Sequence, residues 1–320
     1  MRAFVFPGQG SQSVGMGVAI ADASAAAREV FQEVDEALGE SLSRLMAQGP
    51  ADELMLTQNA QPAIMANAIA TLRMLEKDGG VRLAAKADYV AGHSLGEYSA
   101  LCAAGSFDLP VTARLLRLRG LAMQAAVPVG EGAMAALLGV DRDRADAIAG
   151  AAVDSIMAER GGAPLVCAVA NDNDPTQVVI SGHRVAIERA VALAKEMGAK
   201  RALLLPVSAP FHCSLMIDAA AAMEDALLDA DIAAPQVPLF CNVDAVAIAE
   251  RGAIRVALVA QVTGMVRWRE TVLAMAAAGV TQVVEFGGKV LAPMVKRTVP
   301  DMEAISVVSP ADVEALARAL

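Results

Sequence analysis

The stretch 89-YVAGHSLGEYSAL-101 decides how the rest of the chain is read. A short apolar run, Tyr89-Val90-Ala91, enters Gly92-His93-Ser94-Leu95-Gly96, and a helical pattern follows. Strand, tight turn and helix in that order hold a serine at the apex of a nucleophile elbow. The flanking glycines let backbone and helix approach without side-chain clash. The bland alternative is a glycine-rich strand–helix turn whose serine caps the helix. In either case a strand that feeds directly into a helix predicts an α/β fold with a parallel sheet.

Working outward, residues 2–6 (RAFVF) read as a buried strand ending in the turn formers Pro7-Gly8-Gln9-Gly10. Helices are predicted near 24–37 and 58–77, the second with Thr57 as its cap, then a strand at 88–91 and helices over 95–104 and 110–126. Beyond about residue 131 the rhythm changes. The pattern predicts strand 133–139, helix 141–158, strands 164–170 and 176–181, helix 183–197 and strand 200–205. That βαββαβ order is the ferredoxin-like unit. Afterwards α/β alternation resumes: helix 214–229, strand 237–241, helices 251–262 and 267–277, strand 280–285, helix 289–297 and strand 303–307. The expected organisation is a hydrolase-like α/β domain built from 1–130 and 207–320, with 131–206 as an inserted ferredoxin-like subdomain.

With 320 residues, 56% of them hydrophobic, the chain is long enough for such a core, although aromatics are only 3%. The net charge is −10 and no long basic run occurs, which argues against nucleic acid as a partner. Local basic groups exist at Arg114, Arg117 and Arg119, and at Lys195, Lys200 and Arg201. No apolar run approaches the ~20 residues needed to span a bilayer, and the run at the start, interrupted at Pro7, is too short for a signal peptide. Cys102, Cys167, Cys213 and Cys241 are dispersed without a CxxC pair, and there are three histidines. The expectation is buried free thiols in a reducing cytoplasm and no metal site.

A nucleophilic serine needs a base. His93 adjoins Ser94, but at an elbow the neighbouring side chain points away from the apex, so it is expected to pack beside the site. His183 opens a predicted helix, where a surface or capping role is expected. His212, in the loop 205-LPVSAPFHCSLM-216, follows a strand and precedes a helix, where α/β sites gather. It reads either as the base or as a packed structural histidine. No Asp or Glu between Ser94 and His212 is singled out as the acid of a triad. One oxyanion donor is the Leu95 backbone N–H, at a helix start where amides lack intrahelical partners. The turn Pro7-Gly8-Gln9-Gly10 is the best source of a second.

Six segments, FVFPGQGSQ, GHSLGEYSAL, RGLAMQ, ANDNDPTQVVISG, PVSAPFHCSLM and QVTGMVRW, fall in the order and spacing of the malonyl-CoA:acyl carrier protein transacylases, which the chain resembles from residue 3 to about 298. The resemblance implies a malonyl ester on Ser94, His212 as general base, and the main-chain carbonyl of Gln261 as the acceptor that orients it. It also implies an oxyanion hole from the amides of Gln9 and Leu95, and Arg119 on the malonyl carboxylate. Asn171 would line the cleft, with His93 and Phe211 beside it. Phe211 stands where many bacterial members have serine and argues against a branched methylmalonyl unit. The turn Glu285-Phe286-Gly287-Gly288-Lys289 lacks the family's usual proline and is one residue shorter. The implied partners are malonyl-CoA and phosphopantetheinylated acyl carrier protein, with no cofactor, and the enzyme would be a monomer. Competing readings are a serine esterase or thioesterase, which needs no buried arginine, and a non-catalytic acyl-binding protein, which does not need Ser94 and His212 together.

Overall fold

The computed structural model describes residues 1–207 and 209–320. The chain begins with β1 (Arg2–Phe6) and continues through α1 (Val18–Ala23), α2 (Ala25–Leu38), α3 (Leu42–Gln48), α4 (Ala51–Met55), α5 (Thr57–Lys77) and α6 (Leu83–Lys86) to β2 (Tyr89–Gly92). Next come α7 (Gly96–Ala103) and α8 (Leu109–Ala125). A second unit follows: β3 (Gly132–Leu138), α9 (Arg142–Arg160), β4 (Cys167–Asp174), β5 (Gln177–His183), α10 (Arg184–Ala194) and β6 (Arg201–Leu204). The remainder is α11 (Ile217–Asp229), β7 (Leu239–Phe240), β8 (Ala247–Ile248), α12 (Arg251–Thr263), α13 (Trp268–Ala277), β9 (Gln282–Phe286), α14 (Leu291–Thr298), β10 (Glu303–Val307) and α15 (Pro310–Ala319).

The main sheet has the order β10-β9-β1-β2-β7-β8, parallel except for the last pair. Side chains alternate across a strand, so β1 sends Phe4 and Phe6 into one core and Ala3 and Val5 into another on the opposite face. Both faces are therefore covered, as near-continuous apolar strands require. The second sheet, β4-β5-β3-β6, is antiparallel and has the ferredoxin-like strand order. Ala133, Ala135 and Leu137 face the small core beneath α9 and α10. The alternate residues Met134 and Ala136 join the large core instead. The second sheet also meets the segment between α12 and α13 through backbone. Asp172 N–H donates to Val266 O at 3.0 Å and Val266 N–H to Ala170 O at 2.8 Å. Buried Asp172 pairs with Arg269 at 2.9 Å, and buried Asp174 with Arg297 at 2.8 Å.

Several expectations need correction. Helix α5 starts at Thr57 with Leu56 as its cap residue, and the buried Thr57 hydroxyl has no partner among the described residues. His183 occupies the cap position of α10 but does not cap it; its Nδ1 accepts the Val166 N–H at 2.8 Å. All four thiols are free, but Cys102 and Cys167 are only half-buried. Helices α1, α3, α4 and α6 carried no signal because at most two turns show no clear period. Helix α15 had one: Ser309 and Asp312 form a reciprocal capping box, with Pro310 at the first helical position.

Candidate active site

The site lies at the C-terminal ends of neighbouring parallel strands, where open α/β sheets present their loops. The register pairs Phe6 with Gly92, so the loops leaving β1 and β2 emerge side by side. His93 N–H donates to Phe6 O at 3.0 Å as the chain turns. Ser94 then sits at φ +53°, a strained left-handed conformation for a side chain other than glycine. The turn has no room for side chains on either side. A Cβ on Gly92 would lie 1.9 Å from the Gly96 carbonyl carbon, and one on Gly96 would lie 2.2 Å from Phe6 O. Asn242, just past β7, fastens the elbow: its Oδ1 accepts the Ser94 N–H and its Nδ2 donates to Gly92 O, both at 2.8 Å.

Loop residue His212 is also left-handed, at φ +58°, and its Nε2 lies 2.7 Å from Ser94 Oγ. Its Nδ1 meets two carbonyls, Gln261 O at 2.8 Å and Gly264 O at 3.1 Å. Carbonyls only accept, so Nδ1 carries the proton and the Nε2 lone pair faces the serine hydroxyl. Burial, then the nearby Arg119 charge, push the imidazole down to about 3, so it is neutral at ordinary pH. His93 points elsewhere. Its Nε2 donates to Asn173 Oδ1 at 2.8 Å and its ring lies 5.9 Å from that of Trp268.

Of the three arginines on α8, Arg114 is exposed and Arg117 pairs with Glu40 at 2.7 Å. Arg119 alone is buried, 1% exposed. Gly120 allows this, because a Cβ there would lie 2.5 Å from Gln58 Cα on α5. The guanidinium donates to Gln61 Oε1 and Gln261 Oε1, each at 2.9 Å, and to Ser94 Oγ at 3.1 Å, and packs over the Tyr98 ring. Its Nε finds no partner among the described residues.

A cavity of about 280 Å³ opens over these groups. Gln9, Leu95, Phe211 and Asn171 line it together with Ser94, His212 and Arg119, and the outer face of the second sheet contributes Met134 and Ala136. Leu95 is the cap residue of α7, so its N–H belongs to the helix start. Among the described residues no cluster of His, Cys, Asp and Glu is arranged to hold a metal ion, and no helix is long and apolar enough to cross a membrane.

Four residues of this constellation went unnoticed in the sequence: Gln61, Asn173, Asn242 and Glu97. Amides carry no spacing signal, but Glu97 did, standing within GHSLGEYS at the first turn of the elbow helix. It is fully buried and accepts both the Asn242 N–H and the Gln261 Nε2–H. Burial raises its carboxyl to about 8 against the opposing pull of the Asn242 N–H and Arg119.

The family model for the acyl transferase domain matches residues 3–309. The Escherichia coli K12 malonyl CoA-acyl carrier protein transacylase is 45% identical over 319 residues, covering 99% of this chain and 98% of that one. The Bacillus subtilis 168 protein of that name is 43% identical over 313 residues, covering 98% and 95%. A crystal structure of the Bartonella henselae acyl-carrier-protein-S-malonyltransferase superposes with TM-score 0.93 at 51% identity, covering 99% and 98%. A malonyl-transacylase solved in complex with its type II polyketide acyl carrier protein gives TM-score 0.93 at 39% identity, covering 100% and 99%. The chain belongs to the acyl transferase domain family, among the malonyl CoA-acyl carrier protein transacylases.

Proposed function

We propose that the chain moves a malonyl group from malonyl-CoA to the phosphopantetheine thiol of acyl carrier protein, in fatty acid synthesis, through an ester on Ser94. The observation that carries this reading is a neutral His212 Nε2 2.7 Å from Ser94 Oγ, with the buried Arg119 guanidinium on the same oxygen. The first pair is the arrangement a nucleophile and its base need. The arginine is a ready partner for a free carboxylate, which it meets with two parallel N–H bonds.

Malonyl-CoA enters with its carboxylate on Arg119. Ser94 Oγ attacks the thioester carbon while its proton passes to His212 Nε2. The oxyanion is held by the amides of Gln9 and Leu95, where one lost donor typically costs roughly 100- to 1000-fold. The carbonyl re-forms, the C–S bond breaks, and CoA takes the proton from His212 as it leaves as a thiol. The carrier thiol then gives its proton to His212 and attacks the ester carbon. Ser94 departs and recovers that proton. Backbone carbonyls do the orienting that a carboxylate does in a Ser-His-Asp triad. Side chains and backbone supply every step, with no cofactor, and all come from one chain, so the monomer suffices. The free thiols suit a cytoplasmic setting, and residues 131–206 act as a subdomain that walls the cleft. Lys195, Lys200 and Arg201 are all exposed and offer charge to an acidic carrier.

Intact-mass measurement after brief mixing with malonyl-CoA tests the proposal. A malonyl adduct that is absent in Ser94→Ala and discharged by carrier protein supports it. Steady release of free malonate without carrier would make the chain a hydrolase, and no adduct at all would overturn the acyl-transfer reading.

A further inference from the structure

The mechanism leaves Glu97 without a task, yet a fully buried carboxyl is costly to keep and here stands one amide away from Arg119. Gln261 is the link. Its Nε2 donates to Glu97 and its Oε1 accepts from Arg119 Nη2 at 2.9 Å, while its backbone carbonyl holds His212. That amide orientation is dictated by its neighbours, because a guanidinium only donates and an ionised carboxylate only accepts. Resting on the malonyl-transfer reading, we propose that Glu97 sets the charge balance for carboxylate-bearing substrates: an acyl carboxylate settles on Arg119 only with Glu97 protonated, and where alkaline pH has ionised Glu97 in the free site, binding makes it take a proton from solvent.

The reason is the count of charges in a dry site. Arg119 with an ionised Glu97 is neutral overall. A malonyl carboxylate added to that pair leaves one uncompensated anion, and two carboxylates sharing a site cannot both stay ionised cheaply. Arg119 cannot give up its proton, so the adjustable partner is Glu97. Its carboxyl is already lifted to about 8 by burial, even beside the cation, and a second anion lifts it further. The Gln261 amide can serve both states. Turned over, it accepts from a protonated Glu97 through Oε1 and offers Nε2 to the acyl carboxylate. Glu97 touches no reacting atom and is therefore a positioning residue acting through Gln261 and Arg119.

The other titratable groups around Glu97 leave the region near its own titration clear. Tyr98, next to it on α7, and Cys241, after β7, are both raised by burial. His212 is neutral, held down to about 3. Asn242 and Gln261, facing it from the other elements, do not titrate.

The experiment measures KM for malonyl-CoA in Ser94 loading, from roughly pH 7 to 9.5, on the wild type and on Glu97→Gln. In the wild type KM should rise above the Glu97 titration, by up to ~10-fold per pH unit, because ionised Glu97 opposes the incoming carboxylate. In Glu97→Gln that rise should vanish, whatever the absolute KM. Calorimetry of the wild type in buffers of different ionisation heat adds a reading that needs no variant. Loading at about pH 8.5 should take up protons, beyond the thiol's own release seen with a neutral acyl-CoA. A wild-type KM that is flat over this range, or no excess proton uptake, overturns the proposal. So does a Glu97→Gln profile identical to the wild type. If neither protein forms a malonyl ester at all, it is the acyl-transfer reading that falls.

Discussion

Replacing Arg119 by alanine tests selectivity most directly. The side chain is 1% exposed and spends its donors on Gln61, Gln261 and Ser94. On the proposed reading, a malonyl carboxylate would displace the Ser94 contact and gain a bidentate partner, whereas an acetyl group would offer nothing in exchange. Breaking a buried charged pair by removing one partner typically costs ~3–5 kcal/mol, or roughly 100- to 5000-fold. Malonyl loading should fall by that order while acetyl loading rises relative to it. The fold should survive, because the carboxyl left behind, Glu97, is raised to about 8 even beside the cation and is mostly neutral at pH 7, so losing Arg119 strands no buried anion there. Arg119→Lys keeps the charge without the fork and should fall between. The assay is the initial rate of ester formation with each acyl-CoA, on protein whose far-ultraviolet dichroism matches the wild type. An unchanged malonyl-to-acetyl ratio in folded Arg119→Ala would refute the reasoning.

Gly96→Ala places a Cβ 2.2 Å from Phe6 O, against backbone that cannot move aside. It should cost ~1–3 kcal/mol or more and remove labelling of Ser94 by a serine-reactive probe, and wild-type stability in urea would contradict the elbow geometry. Because His212 is pushed down to about 3, saturated Ser94 loading should show no limb near pH 6.5 as pH falls to roughly 5; a limb there would mean the imidazole is solvated. The same depressed value has a stability consequence. The unfolded histidine binds a proton near pH ~6.5 that the folded one refuses, so stability should decline as pH falls below that point, in a way His212→Gln reduces without removing, because burial also lowers His93. Arg269→Ala strands buried Asp172, and because the arginine is partly exposed the loss should be ~1–3 kcal/mol, read as a lower melting temperature. An unchanged melting temperature would show that this pair does not hold the second sheet to α13.

The sequence by itself determined the elements that carry their own period or punctuation. The βαββαβ run was legible because its strands alternate and its helices repeat over several turns, and it folds into the β4-β5-β3-β6 sheet. The Gly92–Gly96 turn was legible because only glycine fits beside backbone at 1.9 to 2.2 Å. Short helices stayed hidden, having too few turns to repeat, and Thr57 misled because a hydroxyl at a helix start can be a first residue as well as a cap.

The site is a different matter. Ser94 and His212 are 118 residues apart, and only chain packing brings them to 2.7 Å. Local period could not rank Arg114, Arg117 and Arg119, since all three lie on one helix. Only the packing of α8, which at Gly120 runs close against Gln58 of α5, leaves Arg119 as the buried one. The tertiary structure alone made Gln261 a junction, since one residue on α12 meets His212 through its carbonyl and Arg119 and Glu97 through its amide. Glu97 was visible in the quoted motif but mute, because a carboxyl reveals its role only through what surrounds it. A chain encodes its local geometry residue by residue, whereas burial and charge compensation are properties of neighbours that sequence distance does not measure.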